Sequence, residues 1–471
     1  MNKNPSNKII HVILCGGAGK RLWPLSRTSM PKPFISFNGK ETFFNKTINK
    51  FSPFIDERII VTHENFSHIV QGELINYSNS HILLEPDRKN TALPILLAAF
   101  HVNPNDILLV TPADHEIKED NFFSKTVTDA INAAKKNKKL ITFGIAPTFP
   151  STEYGYIKSG NETNFDNIVH AESFHEKPEL NKAKEYMDSN QYFWNSGMFC
   201  FQASVLATEM KKYAPELFKQ SENLYKTIKS NKVSSKFDAK LMGKIPNISI
   251  DYALMEKSNN ILMIKSKMDW YDLGNFEQLQ TLFKKDDFNN TQTEKIVTEN
   301  AKNNIIISDH RVIAIADVDD LVVVDTSDAL LITKRNGKNF QKLLPSIKES
   351  YPEVINYPKV ERRPWGSFKV INDGMGFKVK EINVLPGQQL SLQKHKHRSE
   401  KWVVVEGTAT VTLNNDTLTL NIGETISINP KDIHRLANFT ESNLKIIEVQ
   451  LGDYLEEDDI IRIDDEYNRA I

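Results

Sequence analysis

"IIHVILCGGAGKRLWPLSRTSMPKPF" (9–34) begins as an apolar run and passes directly into a loop that carries Gly16, Gly17, Gly19, Arg21 and Lys32. The run reads as a buried strand, and a glycine-rich loop after a first strand is where open α/β sheets bind ligands. Two phosphate loops are excluded. A P-loop needs a glycine where Leu14 stands, and a dinucleotide fingerprint needs one where Leu22 stands. What remains is Gly16-Gly17-x-Gly19-x-Arg21, followed by Lys32. Glycines admit backbone N–H groups to an anion, and Arg21 and Lys32 can neutralise a polyphosphate.

Outward from this loop, the runs "IIHVIL", "ERIIVT", "DILLVTP" and "KLITFGI" alternate to about residue 285 with segments of helical pattern such as 123–136. That alternation predicts an α/β architecture with a largely parallel sheet. "FNNTQTEKIVTEN" (288–300) is polar and reads as a connector. In 304–334, "NIIISDHRVIAIADVDDLVVVDTSDALLITK", short β-branched runs recur at near-regular spacing, which suits a small β-solenoid or an ordinary meander. "GKNFQKLLPSIKES" (337–350) reads as helical and "YPEVINYPKVERRPWG" (351–366) as a proline-containing linker. From 366 to 455 short strands and turns predict a β-barrel or jelly roll. The predicted division is 1–286, 287–354 and 355–471.

A chain of 471 residues has room for about three domains. Lys and Arg number 59 against 60 Asp and Glu, a formal charge of −1, so nothing in the overall charge attracts nucleic acid or an anionic membrane. Cationic binding must therefore be local. No apolar run reaches the ~18 residues of a membrane span, and "MNKNPSN" lacks the apolar stretch of a signal peptide, which predicts a cytoplasmic protein. Cys15 and Cys200 cannot build a disulfide framework.

The opening loop resembles the signature of sugar-nucleotide pyrophosphorylases, and its Trp23-Pro24-Leu25-Ser26-Arg27 form resembles bacterial mannose-1-phosphate guanylyltransferases. Further segments match in order: "EPDRKNTALPI" (85–95), "TPADH" (111–115), "EYGYI" (153–157), "FHEKP" (174–178), "YFWNSGMF" (192–199), "SIDYALMEK" (249–257) and "DWYDLGNF" (269–276). The resemblance extends into the C-terminal barrel that the long, bifunctional members carry. It implies a Rossmann-like, GT-A-like nucleotidyltransferase domain, a small β-rich linking region and an all-β cupin jelly roll. The implied reaction joins GTP and mannose 1-phosphate into GDP-mannose and pyrophosphate.

Residue by residue, the resemblance assigns Asp114 and Asp272 to Mg²⁺, which suits two hard carboxylate oxygens. Arg21 and Lys32 would hold the leaving pyrophosphate, and Lys177 the phosphate of the sugar phosphate. Glu176, Asn195 and the backbone near Gly155 would meet sugar hydroxyls, and Glu85 and Asn90 the nucleotide. Arg88-Lys89 departs from the family's Gly-Arg before Asn90, and a lysine there loses a planar fork.

In the barrel, His395, His397 and His434 fall in a metal-like pattern, with the first two spaced to share one strand face. Set on the usual cupin spacing, Gly387, Gln393, His395, Glu400, Gly407, Gly423, His434 and Asn438 align. Gln393, His395, Glu400 and His434 then form a ligand set for Zn²⁺ or another divalent metal. In bifunctional relatives this domain interconverts mannose 6-phosphate and fructose 6-phosphate. Lys396 and Lys401 stand where relatives commonly have histidine, and Arg398 and Arg435 are candidate phosphate partners or ordinary rim arginines. The expected ligands are GTP, mannose 1-phosphate, GDP-mannose and mannose 6-phosphate, without nucleic acid or membrane, and a homo-oligomer is left open. One alternative is a guanylyltransferase alone, with a non-catalytic cupin, and two readings from other classes are a cupin metalloenzyme with a nucleotide-binding regulatory domain and a silent scaffold. The joint presence of Arg21, Lys32, Asp114, Lys177 and Asp272 argues against those last two.

Overall fold

The computed structural model describes residues 7–17, 20–37, 41–308, 311–335, 337 and 339–465. They fall into two compact units, one dominated by residues up to 326 together with 330–345, the other by 346 onward.

The first unit is built on a sheet whose main strands are β1 (Ile9–Cys15), β2 (Glu57–His63), β3 (Ser80–Glu85), β4 (Ile107–Pro112), β5 (Leu140–Ile145), β6 (Tyr156–Glu162), β7 (Ile168–His175), β8 (Tyr192–Gln202) and β9 (Ile261–Ser266). They lie in the order β3-β2-β1-β4-β8-β5-β9-β7-β6, with two short strands beyond β3. β1 pairs in parallel with β2 and β4, and β5 with β9. β8 runs antiparallel to all three strands it pairs with, β4, β5 and, at its first residues, β6. Helices cover both faces, which is why β4 and β5 are almost continuously apolar and buried. The helix expected over 123–136 spans Asn121–Asn137, its N-terminus capped by Asp120, which accepts from the Phe123 N–H at 2.9 Å.

One polar side chain sits inside this core. His11 of β1 is fully buried, its Nε2 2.9 Å from Thr111 Oγ1 and its ring 4.8 Å from Phe51. Burial, helped by the Arg58 charge, lowers its pKa to about 3. Below about 6.5 the unfolded chain takes up a proton that the folded chain refuses, so His11 contributes stability at neutral pH that is lost as pH falls towards 3. His11→Gln should lower the first melting transition less at pH 5 than at pH 7. An equal decrement at both pH values would show that His11 is protonated in the fold.

The connector and the repeat form one piece. Its strands β10 (Ile296–Glu299), β11 (Ile305–Ser308), β12 (Ile313–Ala316) and β13 (Leu321–Asp325) pair alternately, β10 with β12 and β11 with β13, both in parallel. Each strand thus skips its neighbour in sequence, so the chain coils as a solenoid and the meander is excluded. Equivalent positions recur 17 residues apart, as Asn300 with Asp317 and Lys302 with Asp319 show. Buried Asn290 and Asn304 hold the inner turns through side-chain hydrogen bonds to backbone. β14 (Leu330–Lys334) closes the region antiparallel to β13. The polar stretch 288–300, expected to be only a connector, therefore contains the first solenoid strand. Its Ile296, Val297 and Thr298 carry the β-branching that the flanking polar residues masked.

The second unit is a barrel of two six-stranded layers around Trp365, Trp402, Val404, Val411 and Leu436. The linker expected at 351–366 is partly structured. Pro352 opens a short helix, Pro352–Asn356, and Val360–Arg363 forms the barrel's edge strand against Gly366–Gly374. No helix among the described residues is long and apolar enough to cross a membrane.

Candidate functional site

At the carboxyl ends of β1 and β4 the first unit gathers the predicted charges. Lys32 opens a short turn, Lys32–Phe34, between Pro31 and Pro33, and its side chain is only 7 % exposed. Its ammonium lies 3.0 Å from Asp114 Oδ2 and 3.7 Å from Asp272 Oδ1, and donates as well to the Asp272 carbonyl. Asp114 follows β4 directly. Asp272 comes from far along the chain, delivered by a two-stranded pairing of Trp270–Tyr271 with Glu116–Ile117. Burial works to raise the Asp114 pKa, yet Lys32, His115 and Arg21 together hold it below the usual carboxylate range.

His115, which the sequence reading left unassigned although it ends "TPADH", orients this pair. Trp270 Nε1 donates to His115 Nδ1 at 3.1 Å, so the ring's proton resides on Nε2, 3.7 Å from Asp272 Oδ1. Burial lowers the His115 pKa against the opposing pull of Asp272 and Asp114. Leu273, next in the chain, takes a left-handed backbone with φ 53°, a strained conformation that only a fixed surrounding maintains.

Gly16 and Gly17 lie in the described part of the opening loop, and Gly19 lies outside the described residues. Among the described residues a Cβ on Gly16 or Gly17 would meet nothing within 4 Å, so none of them demands glycine there. A closely approaching anion would. Arg21 is exposed, with its Nη1 3.6 Å from where a Cβ on Gly274 would stand, beside Asp272.

A second cluster forms at the start of β8. The Asn195 N–H donates to Gly155 O at 2.8 Å, and a Cβ on Gly155 would stand 2.7 Å from Glu176 Oε2. Gly155, Glu176 and Asn195 are thus brought together. Asn195 Nδ2 donates to Asp251 Oδ1 at 2.8 Å, which adds a carboxylate that the sequence reading passed over although it lies within "SIDYALMEK". Burial, then the Glu176 charge, raises the Asp251 pKa. Lys177 has φ 44°, is 62 % exposed and pairs with Glu176 at 2.7 Å.

On the other half of the sheet Glu85 ends β3. Burial and then Asp87 push its pKa up to about 8, against Lys89, and its Oε1 is buried with no hydrogen-bond partner among the described residues. Asn90 is held by Asn247 at its N–H, while its Oδ1 accepts from the Thr91 N–H. The Lys89 ammonium is engaged within the protein, 3.1 Å from Asp87 and 3.4 Å from Gly243 O.

In the second unit His395, Glu400 and His434, all buried, present donor atoms within 4.8 Å of one another. His395 Nε2 is 3.1 Å from Glu400 Oε1 and 3.2 Å from His434 Nε2. His434 Nδ1 donates to Asp432 O at 3.0 Å, which leaves its Nε2 as a bare lone pair turned inward. Two imidazoles and a carboxylate converging on one point suit a divalent metal better than each other. Gln393 lies opposite His434 in register, its Oε1 accepting from Ser391 at 2.9 Å. Burial opposes ionisation of Glu400, but His395, Arg398 and His434 keep it strongly anionic. Neighbouring Glu448 is pushed up to about 8 by burial and the Glu400 charge, and Trp402 Nε1 donates to both carboxylates at 3.0 and 3.1 Å.

Two expectations for this pocket need correction. His397 does not share a strand face with His395. The strand Leu392–His395 ends before it, and His397 is exposed against the Tyr454 ring, because Asp459 draws the backbone N–H groups of 396 to 398 into a turn. Arg398 is no rim arginine. It is 2 % exposed, with Nε 2.9 Å from Glu400 Oε1. Arg435 pairs instead with Asp464. Lys396 and Lys401 both face outward, away from the ligand set.

Comparisons with known proteins bear on both units. The nucleotidyl transferase family matches residues 10–288, the MannoseP isomerase/GMP-like beta-helix domain residues 294–339, and the mannose-6-phosphate isomerase C-terminal family residues 353–465. The mannose-1-phosphate guanylyltransferase of Salmonella muenchen is 37 % identical, covering 97 % of this chain and 98 % of its own length. This chain belongs to the mannose-1-phosphate guanylyltransferase family. Its relatives include the xanthan biosynthesis protein XanB of Xanthomonas campestris, 37 % identical over 98 % of this chain and 99 % of its own. The alginate biosynthesis protein AlgA of Pseudomonas aeruginosa is 35 % identical over 98 % of each. Among solved structures, the mannose-1-phosphate geranyltransferase of Thermus thermophilus is similar with TM-score 0.64 and 27 % identity, covering 72 % of this chain and 99 % of that one. The mannose-6-phosphate isomerase of Helicobacter pylori is similar with TM-score 0.51 and 32 % identity, covering 56 % of this chain and all of that one. The expected nucleotidyltransferase and cupin-like architecture is thereby met, and the chain is an enzyme of this family.

Proposed function

We propose that this chain transfers GMP from GTP to mannose 1-phosphate, giving GDP-mannose and pyrophosphate, and that its barrel interconverts mannose 6-phosphate and fructose 6-phosphate. The observation that carries the first activity is the convergence of Asp114, Asp272 and Lys32 at the carboxyl ends of the sheet strands. Both substrates are anions, so positioning and charge neutralisation govern the rate more than a base does. Mg²⁺ held by Asp114 and Asp272 would offset the charge that gathers between them. Lys32 neutralises phosphate oxygens from a fixed position, and His115 holds Asp272 in its orientation. Gly16, Gly17 and Gly19 let the backbone approach the triphosphate beside Arg21. The unpartnered Glu85 oxygen and Asn90 serve the nucleotide, while Gly155, Glu176, Asn195 and Asp251 serve sugar hydroxyls.

A sugar-phosphate oxygen then attacks the α-phosphorus and pyrophosphate leaves with the bridging electron pair. Lys177 meets a phosphate that is already charged in the ground state, so Lys177→Ala should raise the KM for mannose 1-phosphate about tenfold and leave that for GTP unchanged. A defect confined to GTP would reassign Lys177 to the nucleotide.

For the barrel, Gln393, His395, Glu400 and His434 would hold Zn²⁺ or another divalent ion, which would polarise the sugar carbonyl. Arg398 keeps Glu400 ionised for that purpose. The proposed division of the chain is 1–286, 287–354 and 355–471. The reading requires the compartment that holds GTP and sugar phosphates, the cytoplasm. Assays for GDP-mannose from GTP and mannose 1-phosphate, and for fructose 6-phosphate from mannose 6-phosphate, test the two activities separately.

A further inference from the structure

The solenoid region belongs to the first unit and packs against the segment just after Asp272. Arg335 grips both oxygens of Glu277, Nε at 2.9 Å and Nη2 at 2.5 Å, while its Nη1 donates to Asn303 O. Such a two-pronged pair fixes orientation as well as distance. The Phe340 ring adds a contact 5.8 Å from Phe276.

Between these contacts lies a cavity of about 420 Å³ that Arg21, Glu153 and Asn275 line from one side and Thr333, Lys334 and Gln341 from the other. Arg21 links it to Asp272, since a Cβ on Gly274 would stand 3.2 Å from Asp272 Oδ2 and 3.6 Å from Arg21 Nη1. Of its four charged groups, Glu277 is neutralised by Arg335, while Glu153 keeps its charge and only accepts from the neutral Asn275 amide, so two cations face one free carboxylate and the balance stays positive. Arg21 and Lys334 have no ion-pair partner among the described residues. Phe276, Val322 and Phe340 supply an apolar wall, and two cations against a wall of low dielectric attract an anion more strongly than they would in open water.

We propose that the solenoid region completes the nucleotide site, and that this cavity holds a diphosphate between Arg21 and Lys334. Its occupant is the β,γ end of the bound nucleoside triphosphate and then the departing pyrophosphate. This rests on the reading above, in which Arg21 faces the leaving group. As the bond from the sugar-phosphate oxygen to the α-phosphorus forms, the α–β bridging bond breaks and its electron pair stays on pyrophosphate. Lys334 and Arg21 receive that charge. The ammonium of Lys334 thus comes from outside the nucleotidyltransferase sheet, and the Arg335–Glu277 pair sets where it stands.

The test compares the full-length wild type with Lys334→Ala and Lys334→Arg in the reverse reaction, from GDP-mannose and pyrophosphate. Lys334→Ala should raise the KM for pyrophosphate about tenfold, leave that for GDP-mannose unchanged and weaken product inhibition by pyrophosphate in the forward direction by the same factor. Lys334→Arg, which keeps the charge, should stay within about threefold of wild type. An unchanged KM for pyrophosphate overturns the proposal, as does a loss shared equally by both substrates together with a lowered Tm. Should the wild type form no GDP-mannose at all, the reading of the reaction fails and calorimetric titration with magnesium pyrophosphate decides the cavity. Tenfold weaker binding to Lys334→Ala supports the proposal, and equal binding overturns it.

Discussion

GDP-mannose formation falls about a hundredfold or more in Asp114→Asn, and by a similar factor in Asp272→Asn, with the fold retained in both. An amide keeps the shape of each side chain but removes a charge that three neighbours have been arranged around. Lys32, almost fully buried, stands 3.0 Å from one carboxylate and 3.7 Å from the other. With one of them neutral, the Lys32 charge cancels that of the remaining carboxylate, and a divalent ion loses half of its anionic ligands. Rates measured across a Mg²⁺ titration separate the two consequences: a displaced Mg²⁺ optimum reports weakened ion binding, and a lowered plateau reports lost stabilisation of the transition state. Near-normal rates in both variants would remove the metal assignment.

The second large effect is in the barrel. In His434→Ala, mannose 6-phosphate isomerisation and bound transition metal are both lost, while GDP-mannose synthesis stays at the wild-type rate. His434 is placed by its Nδ1 hydrogen bond to Asp432 O so that Nε2 faces Glu400 and His395, and alanine leaves those two without the third donor of a tetrahedral site. Elemental analysis of the full chain, dialysed free of Mg²⁺ and then loaded with Zn²⁺ or Co²⁺, should find roughly one ion per wild-type chain and close to none in the variant. Equal metal in both would make the histidines ordinary barrel residues. The outward-facing Lys396 and Lys401 have no part in this site, so returning either to histidine should not change isomerisation.

Much of this was readable in the residues because strand ends and glycine loops leave local marks. Gly16-Gly17 follows an apolar strand, so spacing pointed to that loop, and Asp114 sits just past another, although its part in the candidate site came from its motif. Asp272 was recognisable only through its motif. What brings it to Asp114 is a two-residue pairing, Trp270–Tyr271 against Glu116–Ile117, too short to leave a periodic trace. The same limit hid the edge strand Val360–Arg363, where the flanking prolines and charges spoke for a linker. Arg398 read as a phosphate partner or an exposed rim residue because arginines are usually exposed, and nothing local announces that Glu400 and the Glu456 carbonyl await it inside the barrel. His115 and Asp251 lay within recognised motifs, yet their parts depend on partners, Trp270 and Asn195, more than 50 residues away.

The reversal of β8 bears on how such a protein can diversify. Because this strand runs against its neighbours, it presents its first residues, Asn195 among them, at the edge where the parallel strands present their last. The groups assigned to the acceptor sugar therefore cluster on β8, at the open end of the hairpin of β6 and β7 and on the helical turn that begins at Asp251, while those assigned to the nucleotide stand on β3 and on the loops that follow β1 and β3. Selection acting on the one cluster leaves the other untouched, so a descendant can exchange its hexose while its nucleoside triphosphate stays the same, and the converse change has equal freedom.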